Sequence, residues 1–327
     1  MTTQTRPTPA VASISPGPSL GVRGRRRRGW VTRTLFLLPA LLLFVGLVLG
    51  PIFLGIYTSL FKWNGFGGLP PKNFVGLDNF KRLLTDEVFI GDLERGLILV
   101  ALSVTVQLPV ALGLALLLNQ KIRFRRLYRL VFFAPYVLSE VITGVLFTMV
   151  FSPNAGLVNK ILAAFGFGDT AQTWLSEPDS VLYAVFFVIS WKYFGFHMIL
   201  YLAGRQAIPN ELTEAAMVDG AGTWDVFRRI TLPLLGPTIR ISIFLSIIGA
   251  IQLFDMVWVL TGGGPIHGSE TMAVTMFQYG FRRYEVGYAS AISVAMFLIS
   301  LVFALFYQRF VLRRDIEGAI TVMGGRG

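Results

Sequence analysis

The 327-residue chain has no cysteine and only two histidines. Disulfides, thiolate metal sites and cysteine nucleophiles are therefore excluded, and redox chemistry says nothing about the compartment. Charge is scarce too. Asp, Glu, Lys and Arg make up 14% of the residues, against about 25% in an ordinary soluble domain. A chain so poor in charge cannot cover its own surface in water. Hydrophobic residues reach 54% and the mean hydropathy is +0.64. Lipid is therefore the main solvent, and disorder is excluded for the bulk of the chain. No G-x-x-x-x-G-K-[ST] and no H-E-x-x-H occurs, which rules out P-loop nucleotide hydrolysis by this chain alone. With no nucleophile–base pair and no metal-ligand set, the chain is not read as an enzyme, and neither catalytic nor metal-binding residues are assigned.

Apolar runs are what the chain does contain. A bilayer core takes roughly 20 residues per helix, and six runs reach that length: Leu35–Phe61, Gly96–Gln120, Leu130–Phe151, Val181–Gly204, Ile241–Thr261 and Val286–Gln308. They are continuous and too long for barrel strands of about 10 residues. The expected fold class is all-α, a polytopic membrane protein with six transmembrane helices over 34–308. Pro39, Pro51, Pro109 and Pro135 fall inside spans, where lipid-buried helices tolerate them.

The excess of basic over acidic residues, +11 in all, would point to nucleic acid in a soluble protein. Its distribution points elsewhere. Segments 1–33, 121–129, 205–240 and 309–327 hold 20 Lys and Arg, whereas 62–95, 152–180 and 262–285 hold 8. Positive residues collect on the cytoplasmic side, so both termini are expected there and no nucleic-acid partner is assigned. Residues 1–33 form a basic, disordered cytoplasmic tail and 309–327 a cytoplasmic C-terminal tail. Arg25–Arg28 followed by an apolar stretch is reminiscent of a signal peptide. The stretch is too long for an h-region and no A-x-A site follows, so it is read as an uncleaved first span.

On the outer side, Asn64–Glu94 is dense in turn residues, Leu157–Phe165 has the period of an interfacial helix, and Thr261–Gly264 with Pro265 stops span five. The cytoplasmic loop 205–237 is more informative. Asn210 is a candidate N-cap, and Glu211 and Glu214 suit the first turns of a short helix. Gly220 and Gly222 break that helix. Thr223 then caps a second one, with Trp224, Phe227 and Ile230 on one face, which ends at Leu232-Pro233. Two short helices at a glycine elbow form a small cytoplasmic lever.

Here the residues resemble a known pattern. Glu214-Ala215-Ala216, Asp219-Gly220-Ala221 and Ile230-Thr231-Leu232-Pro233 resemble the EAA loop of the permease subunits of binding-protein-dependent ABC importers. Phe74–Phe80, Phe133–Tyr136, Asn154–Asn159, Phe254-Asp255 and Leu260–Pro265 resemble the carbohydrate-uptake group, in its first-permease type. The six-span form is similar to the shorter subunits for glycerol phosphate, lactose and oligosaccharides, without the extra helices and large outer domain of the maltose-importer version. The resemblance implies a type I importer permease fold in the cell inner membrane. It also implies that Glu214, Ala215, Ala216, Asp219, Gly220, Ala221, Ile230, Leu232 and Pro233 couple to a separate ATPase. The implied partners are a second permease, two copies of the ATPase subunit and an extracytoplasmic solute-binding protein, besides membrane lipid and a sugar. The chain needs no cofactor; ATP and Mg belong to the ATPase partner.

Ionisable residues inside spans are functional candidates. Glu140, Lys192 and Asp255 are the three. With Tyr136, Trp191, Phe196 and Gln252 they offer carboxylates and amides for hydroxyls and rings for apolar sugar faces, so these seven are the candidate substrate path. Tyr136 with Glu140, and Gln252 with Asp255, are spaced to share helix faces. An alternative stays open, in which Glu140 or Asp255 pairs with Lys192 and fixes helix packing. His197 reads as a satisfied interior polar group, and Gln107 as helix-packing glue. Import of a non-sugar solute, or an ion-coupled carrier, are the competing functions. The second lacks the internal repeat such carriers usually show.

Overall fold

The computed structural model describes residues 34–120, 122–167 and 173–312. The N-terminal tail, Lys121 and most of the C-terminal tail lie outside the described residues. Among the described residues every regular element is helical, and β structure is limited to an isolated bridge between Phe61 and Phe74. The chain divides after Leu54 into two compact units.

Helices α1 (Thr34–Thr58), α3 (Glu87–Asn119), α7 (Pro178–Gln206) and α13 (Val286–Leu312) are each long and apolar enough to cross a bilayer. Between them lie the short α2 (Asp78–Thr85) and α6 (Leu157–Ala164). Two bent pairs complete the apolar set. Helices α4 (Arg125–Val137) and α5 (Glu140–Val150) meet at 99°, and α9 (Thr223–Leu234) and α10 (Gly236–Ile251) at 63°. Counting each pair as one span raises the total to as many as six. The remaining helices are α8 (Asn210–Val218), α11 (Asp255–Leu260) and α12 (Met272–Phe277).

Proline placement explains much of the local geometry. Segments Val45–Leu49, Ser103–Gln107 and Phe227–Thr231 are π-turns, and each ends two residues before a proline: Pro51, Pro109 and Pro233. A proline has no N–H for the carbonyl four residues back, and its ring collides with that carbonyl. A widened turn moves the carbonyl aside, so the helix continues. For this reason Leu232-Pro233 does not end α9, contrary to the expectation from sequence; the bend follows at Leu235.

Other boundaries also differ from the hydropathy reading. Span two starts at Glu87 rather than Gly96, because Asp86 caps the helix by accepting from the N–H groups of Val88 and Phe89. The charges of Asp92, Glu94 and Arg95 hide this first part in a hydropathy plot. Span five, expected as one run to Thr261, is broken at Gln252–Phe254. The freed carbonyl of Leu253 accepts from Thr271 Oγ1 at 2.7 Å, so the irregular backbone is satisfied within the protein. Asn210 and Thr223 are first helical residues rather than caps, which are Pro209 and Gly222.

Helix α7 is the hub. Val181, Val185, Val188, Lys192, Gly195, Met198 and Leu202 form its buried face at steps of three and four. At Gly195 an added Cβ would stand 2.0 Å from the Phe132 carbonyl oxygen, so only glycine lets α4 pass this closely. Farther along, Val185 and Val188 pack with Phe147 of α5, with Phe151 just past its end, and with Met256, Val257 and Leu260 of α11. The loop ahead of α12 is welded by buried polar groups. Thr275 Oγ1 lies 2.5 Å from Asp92 and 2.9 Å from Glu270, and Arg95 binds both Asp92 and the Glu270 carbonyl.

Candidate functional site: a helix break above a cavity, and an exposed elbow

Near Pro135, which cannot donate an N–H to Val131, α4 ends at Val137. Leu138 and Ser139 are extended, and Ser139 Oγ then accepts from the Ile142 N–H to start α5. A break of this kind strands carbonyls at membrane depth. Lys192 of α7 answers them: its Nζ donates to the carbonyls of Leu138 and of Tyr136, the latter at 3.5 Å, and sits 3.8 Å from Glu140 Oε1. Two carbonyls therefore accept hydrogen bonds from the ammonium, and the carboxylate balances its charge. Its side chain is 3% exposed, whereas that of Glu140 keeps 25%.

The next residue, Tyr193, donates its hydroxyl to Glu140 at 2.5 Å. Its ring meets Tyr136 edge-on at 5.8 Å, and Tyr136 stacks on Phe196 at 5.0 Å. These three rings form one wall of a cavity of about 200 Å³ between α3, α7 and α10. Ser103, Gln107, His197 and Ser246 supply its polar lining. Ser103 Oγ bonds Gln107 at 2.5 Å and Ser246 at 2.7 Å, and His197 Nδ1 lies 2.7 Å from Ser242 Oγ. Among the described residues no cluster of three or more His, Asp or Glu is placed to hold a metal.

Of the seven residues proposed for the path, Tyr136, Glu140, Lys192 and Phe196 come together here. The helix-face argument for Tyr136 and Glu140 does not hold, since the break runs between them; Tyr193 joins them instead. Trp191 turns away and packs on Phe147 at 5.0 Å, in the core. Gln252 and Asp255 flank the second break, so they do not share a helix face, and both are exposed. Tyr193 and Ser246 carried no signal in an apolar run and were missed.

The elbow has its own physical logic. The Gly220 N–H donates to the Met217 carbonyl at 3.1 Å and the Ala221 N–H to the Ala216 carbonyl at 2.9 Å. This is the paired bonding of a Schellman cap, which requires a left-handed residue between. Gly220, at φ +88°, is that residue. The spacing from Glu214-Ala215-Ala216 to Asp219-Gly220-Ala221 is therefore that of one helix end: the second alanine of the first triplet accepts from the alanine of the second. Glu214, Ala215 and Asp219 are exposed. So are the apolar Leu212, Met217, Val218 at 87% and Trp224 at 67%, while Thr213, Val226 and Thr231 anchor the elbow inward. Ile230 and Leu232 are half-buried and Pro233 is exposed.

Comparison with known proteins matches residues 107–316 to a family described as "Binding-protein-dependent transport system inner membrane component". The chain is 35% identical to the diacetylchitobiose uptake system permease protein of Streptomyces coelicolor, over 92% of this chain and 89% of that one. It is 33% identical to the trehalose/maltose transport system permease protein of Thermococcus litoralis, over 84% and 92%. Among solved structures, a bacterial alginate ABC transporter in complex with an alginate pentasaccharide-bound periplasmic protein aligns with a TM-score of 0.77 and 26% identity, over 89% of this chain and 97% of that one.

Proposed function

The chain belongs to the family of binding-protein-dependent transport system inner membrane components, and from that premise we propose that it forms half of the translocation path for a saccharide. It is an ABC importer permease, a transport component and not an enzyme, of the inner membrane. The exposed, Schellman-capped elbow at Glu214–Ala221 carries the reading. It offers a rigid surface of exposed apolar side chains and two carboxylates, Glu214 and Asp219, tied covalently to α7 on one side and to α9–α10 on the other. Closure of an ATPase around it is thereby passed to the helices that wall the cavity.

The proposed assembly pairs this chain with a second permease and two copies of an ATPase subunit, which uses ATP and Mg, and an extracytoplasmic binding protein delivers the cargo. Both termini lie in the cytoplasm, with the basic segments. Relatives named for diacetylchitobiose and for trehalose/maltose, and a structural neighbour named for alginate, support saccharide as the cargo class. Stacked rings beside hydroxyl, amide and carboxylate groups suit it chemically.

Reconstitution tests this. The chain alone should move no sugar, and the assembled complex should accumulate it only with ATP; ATP-independent flux through the chain alone overturns the proposal. Glu214→Lys should remove most substrate-stimulated ATP hydrolysis while membrane insertion stays intact.

A further inference from the structure

We propose that this chain's half of the path admits uncharged saccharides and rejects anionic ones, an inference that rests on reading the cavity as part of the translocation path. Fold alone does not decide this, since related transporters are named for trehalose/maltose and for the acidic polysaccharide alginate. The side chains around the α4–α5 break do.

Lys192 is the one Lys or Arg within the apolar runs, and it is withdrawn from any ligand. Two backbone carbonyls accept from it, Glu140 pairs with its charge at 3.8 Å, and almost none of its surface is open. One carboxylate stands directly behind the cavity wall. Glu140, a quarter exposed, accepts from the hydroxyl of Tyr193, a lining residue. Its negative charge is the one nearest the cavity, and the single positive charge beside it is already engaged. The cavity lining itself is formally neutral: two phenols, two serines, Gln107 and His197.

A carboxylate, sulfonate or phosphate entering this space sheds water, meets like charge, and finds no unpaired Lys or Arg among the described lining residues. An ion buried without a partner is strongly disfavoured. Repulsion of this kind is how a site discriminates against a near-isostere. Saccharide hydroxyls have the opposite experience. They donate to Glu140 and exchange hydrogen bonds with the serines and Gln107, while the Tyr136–Phe196 stack covers an apolar sugar face.

The test uses the assembled importer with its binding protein in proteoliposomes. A panel of neutral and uronic oligosaccharides is screened for ATP-driven uptake, and each transported neutral sugar is compared with its aldonate, the same chain with one terminal carboxylate. Rates are normalised to occupancy of the binding protein, which separates its selectivity from that of the path. The expected result is uptake of neutral members, aldonates slower by about tenfold, the factor of a 1.4 kcal/mol difference, and a narrower gap in Glu140→Gln. Equal rates for parent and aldonate, or uptake of uronic members alone, overturn the charge inference while leaving the saccharide reading standing. Uptake of no panel member overturns the saccharide reading and the inference with it.

Discussion

Lys192 shows how a single charged residue can be legible in sequence while its work is not. A cation in an apolar run is conspicuous, and so is Glu140. What neither reveals alone is that α4 stops short of Glu140, so that the lysine serves two orphaned carbonyls before it serves the carboxylate. The geometry makes a definite prediction. Lys192→Met leaves both carbonyls without the ammonium and Glu140 without its counter-charge, held by Tyr193 alone, at a cost of about 3 kcal/mol. That should appear as a markedly lower thermal midpoint of the detergent-solubilised protein. A melting curve that matches wild type would show that water or another group replaces the ammonium. Tyr193 was invisible because tyrosine is ordinary in an apolar helix, and only the fold puts its hydroxyl on Glu140.

At the scale of the element, helix ends decide most of what matters. The elbow was readable because glycine at a helix end has one common purpose, and Gly220 serves it. Space around its Cβ position is open, so Gly220→Ala should cost only the left-handed backbone penalty, about 1–2 kcal/mol. Coupling should weaken through misplacement of α9, measured as substrate-stimulated ATP hydrolysis with insertion unchanged. Full coupling in that variant would mean the elbow's shape is set by the partner. The α4–α5 break was not read, since hydropathy counts apolar residues and ignores direction. The signal was present nonetheless: Ser139 followed by an acid is an N-cap signature inside an apolar run.

Asp86, the cap of α3, supplies a pH test at the same scale. Burial works against its charge, yet hydrogen bonds from Tyr288, from the N–H groups of Val88 and Phe89, and from Tyr279 hold its carboxyl below the usual carboxylate range. A depressed carboxyl stabilises the fold above its unfolded value, near 3.9, and that contribution is lost as pH falls through the lower folded value. Asp86→Ala should therefore melt at a lower temperature than wild type at neutral pH, by a cap's worth of about 1 kcal/mol. The two should converge below about pH 4. A gap that persists unchanged in acid would assign the difference to packing instead of charge.

For the whole molecule, composition foretold an all-helical membrane protein, and motif spacing foretold the two short helices meeting at Gly220. The division of helices into straight and bent ones followed from contacts that no local pattern encodes. Sidedness was read from the unequal spread of Lys and Arg, and the lack of cysteine makes it directly testable. With no native cysteine, a single introduced thiol has no background. Arg228 on the elbow and Tyr284 ahead of α13 are both exposed and lie on opposite sides in the proposed orientation. A membrane-impermeant maleimide should label Tyr284→Cys in right-side-out vesicles and Arg228→Cys only in inverted ones. Neither site touches the α4–α5 break, so transport can be checked in the same preparations. The reverse labelling pattern would place the elbow outside, out of reach of any cytoplasmic ATPase, and the coupling role of Glu214–Ala221 would fall with it.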